Sequence, residues 1–151
     1  MKRNTKLASL YLRLAIGSAY LWEVADRIGI LGANGQPHVG WGDWGHFLDY
    51  AQKVMVFLPK GIVPALAVLA SIGEAVFGVL IFIGLFTRLA AIGSGILSLF
   101  FALAMAISFG IDSPLGYSVF TLSAASFLLS TLPAYQWSID ALRLKSKEDD
   151  K

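Results

Sequence analysis

The residues of this chain that could do chemistry are few, and most of them lie in apolar surroundings. Glu74 is the one acid in the long apolar stretch from Ala65 to Ala106, which is otherwise interrupted only by the connector Gly84-Leu85-Phe86-Thr87-Arg88. An ionised carboxylate at mid-bilayer depth costs about 3 kcal/mol on insertion scales, so an acid there marks a functional-site candidate. Upstream, Arg13, Gly17, Tyr20, Glu23 and Arg27 fall within about 120° of one helical face. Lipid rejects such a face, which must point into protein or a wet cavity. Counted from the same membrane surface at about 1.5 Å per residue, Arg13 lies about 9 Å deep and Glu74 about 14 Å. That difference is within reach of an arginine, so Arg13 and Glu74 are expected to meet. Tyr20 and Glu23 would lie above them, with Asp26 and Arg27 at the outer mouth. Two uses of this pair stay open: a structural ion pair that fixes helix registry, and a proton-exchanging acid with its charge partner.

Other chemistries are excluded or disfavoured. The chain has no cysteine, which removes thiol–disulfide exchange, thiolate zinc and iron–sulfur clusters. Its two histidines, His38 and His46, lie outside the apolar spans, so the spans offer no bis-histidine haem site. His38, Asp43, His46 and Asp49 match no metal-ligand spacing, and no metal is expected. Gly93-Ser94-Gly95 lacks the strand and third glycine of a dinucleotide fingerprint. Ser94, Ser98 and Met105 share a face in the third span, and such hydroxyls ordinarily serve helix packing. The formal charge of +2 is too small and scattered for nucleic acid.

These residues need a membrane scaffold to position them. The chain is 56% hydrophobic and 15% charged over 151 residues, far fewer charges than the roughly 25% of a soluble domain. Apolar runs give four spans, about 7–24, 62–83, 89–108 and 115–132, in a single domain over 1–151. The expected fold is an all-α, four-transmembrane-helix bundle. The basic start, Met1 to Lys6, lacks a convincing cleavage site behind it, so the first span is read as uncleaved. Lys2, Arg3, Lys6, Arg88, Arg143, Lys145, Lys147 and Lys151 lie on one side, and Arg27, Lys53 and Lys60 on the other, which places both termini in the cytoplasm. The outer segment, 28–60, is glycine-rich at first. Phe47, Leu48, Ala51, Val54, Met55 and Leu58 then form one apolar helical face. This predicts an amphipathic helix from Trp44 to Leu58 on the outer surface, capped by Asp43, with Trp41 and Trp44 at headgroup level. Pro64 opens the second span, Gly84 closes it, and Thr87 is placed to cap the third. Small residues around Glu74 (Ala67, Ala70, Ser71, Ala75, Gly78) let a neighbouring helix approach. Asp112-Ser113-Pro114 opens the fourth span, and an interfacial tail follows Pro133.

Arg13-Leu14-x-x-Gly17 in the first span, and Glu74 with Gly78, Gly84-Leu85-x-Thr87-Arg88 and Ala90-Ala91 across the hairpin, resemble the DoxX family over the whole chain. The resemblance implies a four-helix bundle in a bacterial plasma membrane with Arg13 and Glu74 as polar core positions. Its relatives include DoxD-type subunits of thiosulfate:quinone oxidoreductase, which pass electrons from thiosulfate to membrane quinone. The implied function is a quinone-linked redox component or subunit, with quinone as an exchangeable ligand, nothing bound covalently, and a partner redox subunit. A quinone needs an apolar slot, a donor to its carbonyl and a proton source. Arg13 or Tyr20 would be the donor and Glu74 the proton carrier, with Glu23 nearby and Phe77, Phe100, Phe101 and Met105 as slot walls. The competing reading is a non-catalytic membrane module that binds a lipophilic ligand or anchors a partner complex. A solute or proton transporter would use the same polar track, but four helices without internal repeats argue against it.

Overall fold

The computed structural model of the chain describes residues 3–149; Lys2 and Lys151, counted above in the charge asymmetry, lie outside the described residues. Among the described residues the chain is all-helical, with no strand. Helix α1 spans Arg3–Arg27, α2 Trp44–Val54, α3 Val63–Ile83, α4 Thr87–Phe109, α5 Asp112–Gly116, α6 Val119–Ser130 and α7 Ile139–Asp149. Helices α3 and α4 are long and apolar enough to cross a membrane. With 21 and 23 residues they reach about 32 and 35 Å, against a hydrocarbon core of about 30 Å.

The long helices form a ring in which α1 packs on α3, α3 on α4, α4 on α6, and α6 returns to α1. Small residues set the α1–α3 distance. A Cβ on Gly17 would lie 2.8 Å from Cβ of Phe82 and 3.0 Å from the carbonyl oxygen of Gly78, so the two backbones nearly touch. Facing it, Gly78 packs against Tyr20 and Leu21. The core around this contact is Ile16, Tyr20, Ile81, Ala90, Ala91 and Leu129.

The hairpin between α3 and α4 forms as its residues require at one end and differs at the other. Gly84 ends α3 in the left-handed conformation (φ 73°), with its N–H on Leu80 and Ile81. Thr87 does not cap α4. It is the first helical residue, and the cap comes from far along the chain: Asp140 accepts from the N–H groups of Phe86 and Thr87, both at 2.9 Å, and from Thr87 Oγ1 at 2.7 Å. An aspartate at a helix N-terminus satisfies orphan donors and complements the dipole whichever part of the chain supplies it.

Two further expectations are corrected. The fourth apolar run, 115–132, is not one helix, because α5 ends at Gly116 and α6 starts at Val119 after Ser118 turns left-handed (φ 57°). The outer helix forms with Asp43 as its cap, Oδ1 accepting from His46 N–H at 2.9 Å, but it ends at Val54, four residues before Leu58. Its apolar face is also not spread on a surface. Phe47 and Ala51 are buried against Val63 and Ala67 of α3, with Trp41, Trp44 and Leu48 around them. Ser108 near the end of α4 donates to the Val54 carbonyl at 2.6 Å. Helix α2 is therefore a lid across the ends of α3 and α4 rather than a float beside them.

Candidate functional site

Under that lid lies the buried acid. Glu74 is 3% exposed on α3, at the level of the last turn of α1, where Arg27 is 6% exposed. Arg27 donates to both carboxylate oxygens: Nη1 to Oε2 in a close contact, and Nη2 to Oε1 at 3.2 Å. Nη1 also donates to Ser71 Oγ at 3.0 Å. The guanidinium lies 4.1 Å from the centroid of the Phe47 ring, so α2 closes over the pair through a cation–π contact. Arg27 Nε is buried and has no hydrogen-bond partner among the described residues. A buried donor left unpaired costs about 1–3 kcal/mol, so an unpaired one here requires a reason.

Beside this pair an open apolar groove of about 370 Å³ runs down the outside of α1 and α3, lined by Val24, Val68, Ser71, Ile72 and Ala75 and roofed by Trp44. Ser71 belongs to both features, with its residue at the groove and its hydroxyl on Arg27. The site is thus a neutralised charge pair covered by the Phe47 ring, with Ser71 joining it to the apolar groove alongside.

The expected Arg13–Glu74 pair does not form. Arg13 is 1% exposed, yet it is engaged elsewhere: Nε donates to Ile81 O at 3.1 Å, Nη2 to Phe82 O at 3.1 Å, and Nη1 to Gln136 O at 3.0 Å and Trp137 O at 3.3 Å. Those first two carbonyls belong to the last turn of α3, where orphan acceptors and the negative dipole end attract a cation. Arg13 pins α1, α3 and the segment before α7 together. The Gly17–Gly78 contact sets the register. It puts Arg13 beside Ile81, seven residues or about 10 Å along α3 from Glu74, and carries Arg27 to it instead.

The other expected site residues are distributed differently from one another. Tyr20 is buried against Gly78, one turn of α3 from Glu74, and its hydroxyl donates to Ser94 O at 2.9 Å and meets Ser98 Oγ at 2.5 Å. Ser94 Oγ continues to Ser126 Oγ at 2.8 Å, so a hydroxyl chain links α1, α4 and α6. Glu23 is exposed, and Phe100 is 65% exposed. Phe77 is half-buried in the core between Gly73 and Gly93, Phe101 is half-buried, and Met105 is buried on α4. None of Tyr20, Glu23, Phe77, Phe101 or Met105 lines the groove beside Ser71. Asp43 and His46 serve the α2 cap, with His46 Nδ1 at 2.7 Å from Asp43 Oδ2. The neighbouring backbone N–H groups of Asp43's cap hold its carboxyl below the usual carboxylate range.

Arg27 and Phe47 are the site residues that sequence reasoning placed elsewhere, while Ser71 was expected beside Glu74 as a small packing residue and proves to be a partner of Arg27. Arg27 was on the polar face of α1 but at its outer mouth, and the signal that would have moved it inward is the pair of glycines, Gly17 and Gly78, read as a register mark. Asp26, its neighbour, is also buried, and accepts from the N–H groups of Gly40 at 3.0 Å, Trp41 at 2.9 Å and Gly42 at 3.2 Å. Those bonds tie the glycine-rich outer loop to α1 and so hold Trp41 and α2 in place over Glu74.

An all-helical bundle with two helices long and apolar enough to cross a membrane and, among the described residues, one buried ion pair at its lidded end defines a class of protein rather than a reaction. The comparison with protein families is more specific: the model of the TQO small subunit DoxD matches residues 9–151, and the chain belongs to that DoxD family. Neither the curated proteins nor the solved structures give a match.

Proposed function

We propose that this chain is a four-span, quinone-linked subunit of a bacterial inner membrane, with both termini cytoplasmic, and that quinone is met at the Arg27–Glu74 pair. The observation that carries the reading is the buried Nε of Arg27, unpartnered among the described residues, in a side chain whose Nη1 bonds Ser71, a residue of the open apolar groove. A lipid-soluble ring enters such a site from the bilayer without crossing water. Quinone, when bound, takes up two electrons and two protons. The residues present fit that need. Arg27 offers an unused N–H to a carbonyl oxygen, and its charge favours negative charge developing there. Glu74, hydrogen-bonded to the same guanidinium, is the group that holds and hands on a proton. Phe47, over the guanidinium and backed by Trp44, keeps water off the pair. In this assignment Arg27 replaces Arg13 as the charge partner, because four of the five N–H groups of Arg13 are already engaged by main-chain carbonyls. The electrons come from thiosulfate directly or through a partner redox subunit, as the family description of a TQO small subunit implies.

The test is extraction of the protein, purified in mild detergent, for mass spectrometry. Wild type should carry quinone near one per chain, and Ala75→Phe, which fills the groove, should carry almost none while remaining folded. Glu74→Gln should keep the quinone and lose quinone reduction in the membrane. Stoichiometric recovery of some other lipid, or quinone retained by Ala75→Phe, would overturn the assignment.

A further inference from the structure

The opposite end of the bundle holds a larger cleft that the Arg27–Glu74 site does not use. It measures about 670 Å³ and lies between the start of α4 and α7. Its lining includes the cations Arg88, Arg143 and Lys145 and the apolar side chains Phe86, Leu89 and Leu144. All six are exposed. Asp140 is the one carboxylate in the lining, and its two oxygens are taken by Phe86 N–H, Thr87 N–H and Thr87 Oγ1 in the α4 cap. Among the described residues none of the three cations forms an ion pair. Arg143 lies over the Phe86 ring at 5.1 Å from its centroid, which holds the guanidinium at the cleft wall. Arg88 makes a long contact, Nη2 to Leu132 O at 3.4 Å, and lies near the Tyr135 hydroxyl.

The position of the cleft limits its occupant. Phe86 lies in the connector between α3 and α4, and Arg88 and Leu89 in the first turn of α4; these are the two helices long and apolar enough to cross a membrane, so in the membrane placement proposed above the cleft opens where both leave the hydrocarbon. A mostly apolar cleft that carries three cations at that depth matches an amphiphile with a negative head. We propose that it binds the phosphodiester headgroup of an anionic phospholipid, with Arg88, Arg143 and Lys145 on the phosphate and the first acyl carbons against Phe86, Leu89 and Leu144. Arginine donates to phosphate oxygens in a fixed planar fork, and a cluster of cations beside a membrane helix draws anionic lipid. A free phosphate ion would leave the apolar lining of the cleft unexplained. Because α7 and the α3–α4 hairpin both contribute walls, bound lipid would also brace the Asp140 cap.

The experiment is a lipid titration of the full chain in detergent, followed by native mass spectrometry, with phosphatidylglycerol and phosphatidylcholine as probes. Wild type should bind phosphatidylglycerol in preference. Each cation removed should weaken binding about fivefold, so Arg88→Gln/Arg143→Gln/Lys145→Gln should lose roughly a hundredfold and with it the preference. Lys53→Gln/Lys60→Gln, at the other end of the molecule, should leave the preference intact. If the triple variant fails to fold by circular dichroism, wild type alone decides. Salt that shortens the Debye length from about 10 Å to about 3 Å should erase the preference, and millimolar inorganic phosphate should not. Equal binding of both lipids by wild type, a folded triple variant that keeps the preference, a salt-insensitive preference, or displacement by inorganic phosphate would each overturn the proposal. None of these readouts depends on quinone, so the two sites stand or fall separately.

Discussion

Removing Arg27 or Glu74 should unmask a strong coupling that Arg13 and Glu74 lack. In Arg27→Met, Glu74 is left buried without its two guanidinium bonds, while Ser71 and Phe47 lose their contacts with the cation. Breaking one side of a buried pair typically costs about 3–5 kcal/mol, and the low exposure of both partners puts this pair in that class. Glu74→Gln keeps the volume and one acceptor for Arg27 but removes the negative charge and the second acceptor of the pair. Its cost should be about 2–3 kcal/mol, the range for hydrogen bonds to a charged group. The double variant Arg27→Met/Glu74→Gln removes both charges together, so it should be far less destabilised than the two costs added. A coupling of about 2 kcal/mol or more is expected. Arg13→Met should also be severe, because four main-chain carbonyls lose their donor. Its cost should simply add to that of Glu74→Gln, within about 0.5 kcal/mol, since the two share no partner. Equilibrium unfolding in mixed detergent micelles, followed by circular dichroism, gives all the energies needed for both cycles. Additivity for Arg27 with Glu74, together with coupling for Arg13 with Glu74, would refute the register of α1 on α3 and the site built on it.

Three other outcomes follow from particular contacts. Gly17→Ala forces a methyl into Phe82 and the Gly78 carbonyl and should cost about 1–3 kcal/mol as overpacking, read as a lower unfolding midpoint; an unchanged midpoint would mean the helices do not touch there. Asp140→Ala should cost about 1–2 kcal/mol as a lost N-cap and speed hydrogen exchange at Phe86 and Thr87, over fifty residues away in sequence. The Asp43 carboxyl sits below its ordinary range because the backbone and side chain of His46 bond its charged form. A depressed folded value stabilises α2 above the unfolded value, and that stabilisation is lost as pH falls through the depressed one. Exchange protection at His46 N–H should therefore persist through the usual carboxylate range and fail only below it, and Asp43→Ala should abolish the pH dependence.

Much of this architecture is local and was therefore legible in the residues. Periodicity and cap chemistry placed α2 with Asp43 at its head, the turn at Gly84 and the proline-opened α3, because each depends on neighbours within one helical turn. Composition marked a membrane-type chain, and the desolvation cost of a lone acid marked Glu74 as its centre. The partner of that acid was not local. Whether Glu74 meets Arg13 or Arg27 depends on how far α1 slides along α3, and that is fixed by a backbone contact between Gly17 and Gly78 that no single segment contains. The same holds for the cap of α4, supplied by Asp140 from the far end of the chain, and for the apolar face of α2, which could equally have met lipid but meets Val63 and Ala67. Sequence marked Glu74, Arg13, Tyr20 and Arg27 for burial, and wrongly Glu23 with them; only the close approach of helices decided which of them met, since a shift of two helical turns exchanges one arginine for the other without altering the hydrophobic pattern of either helix.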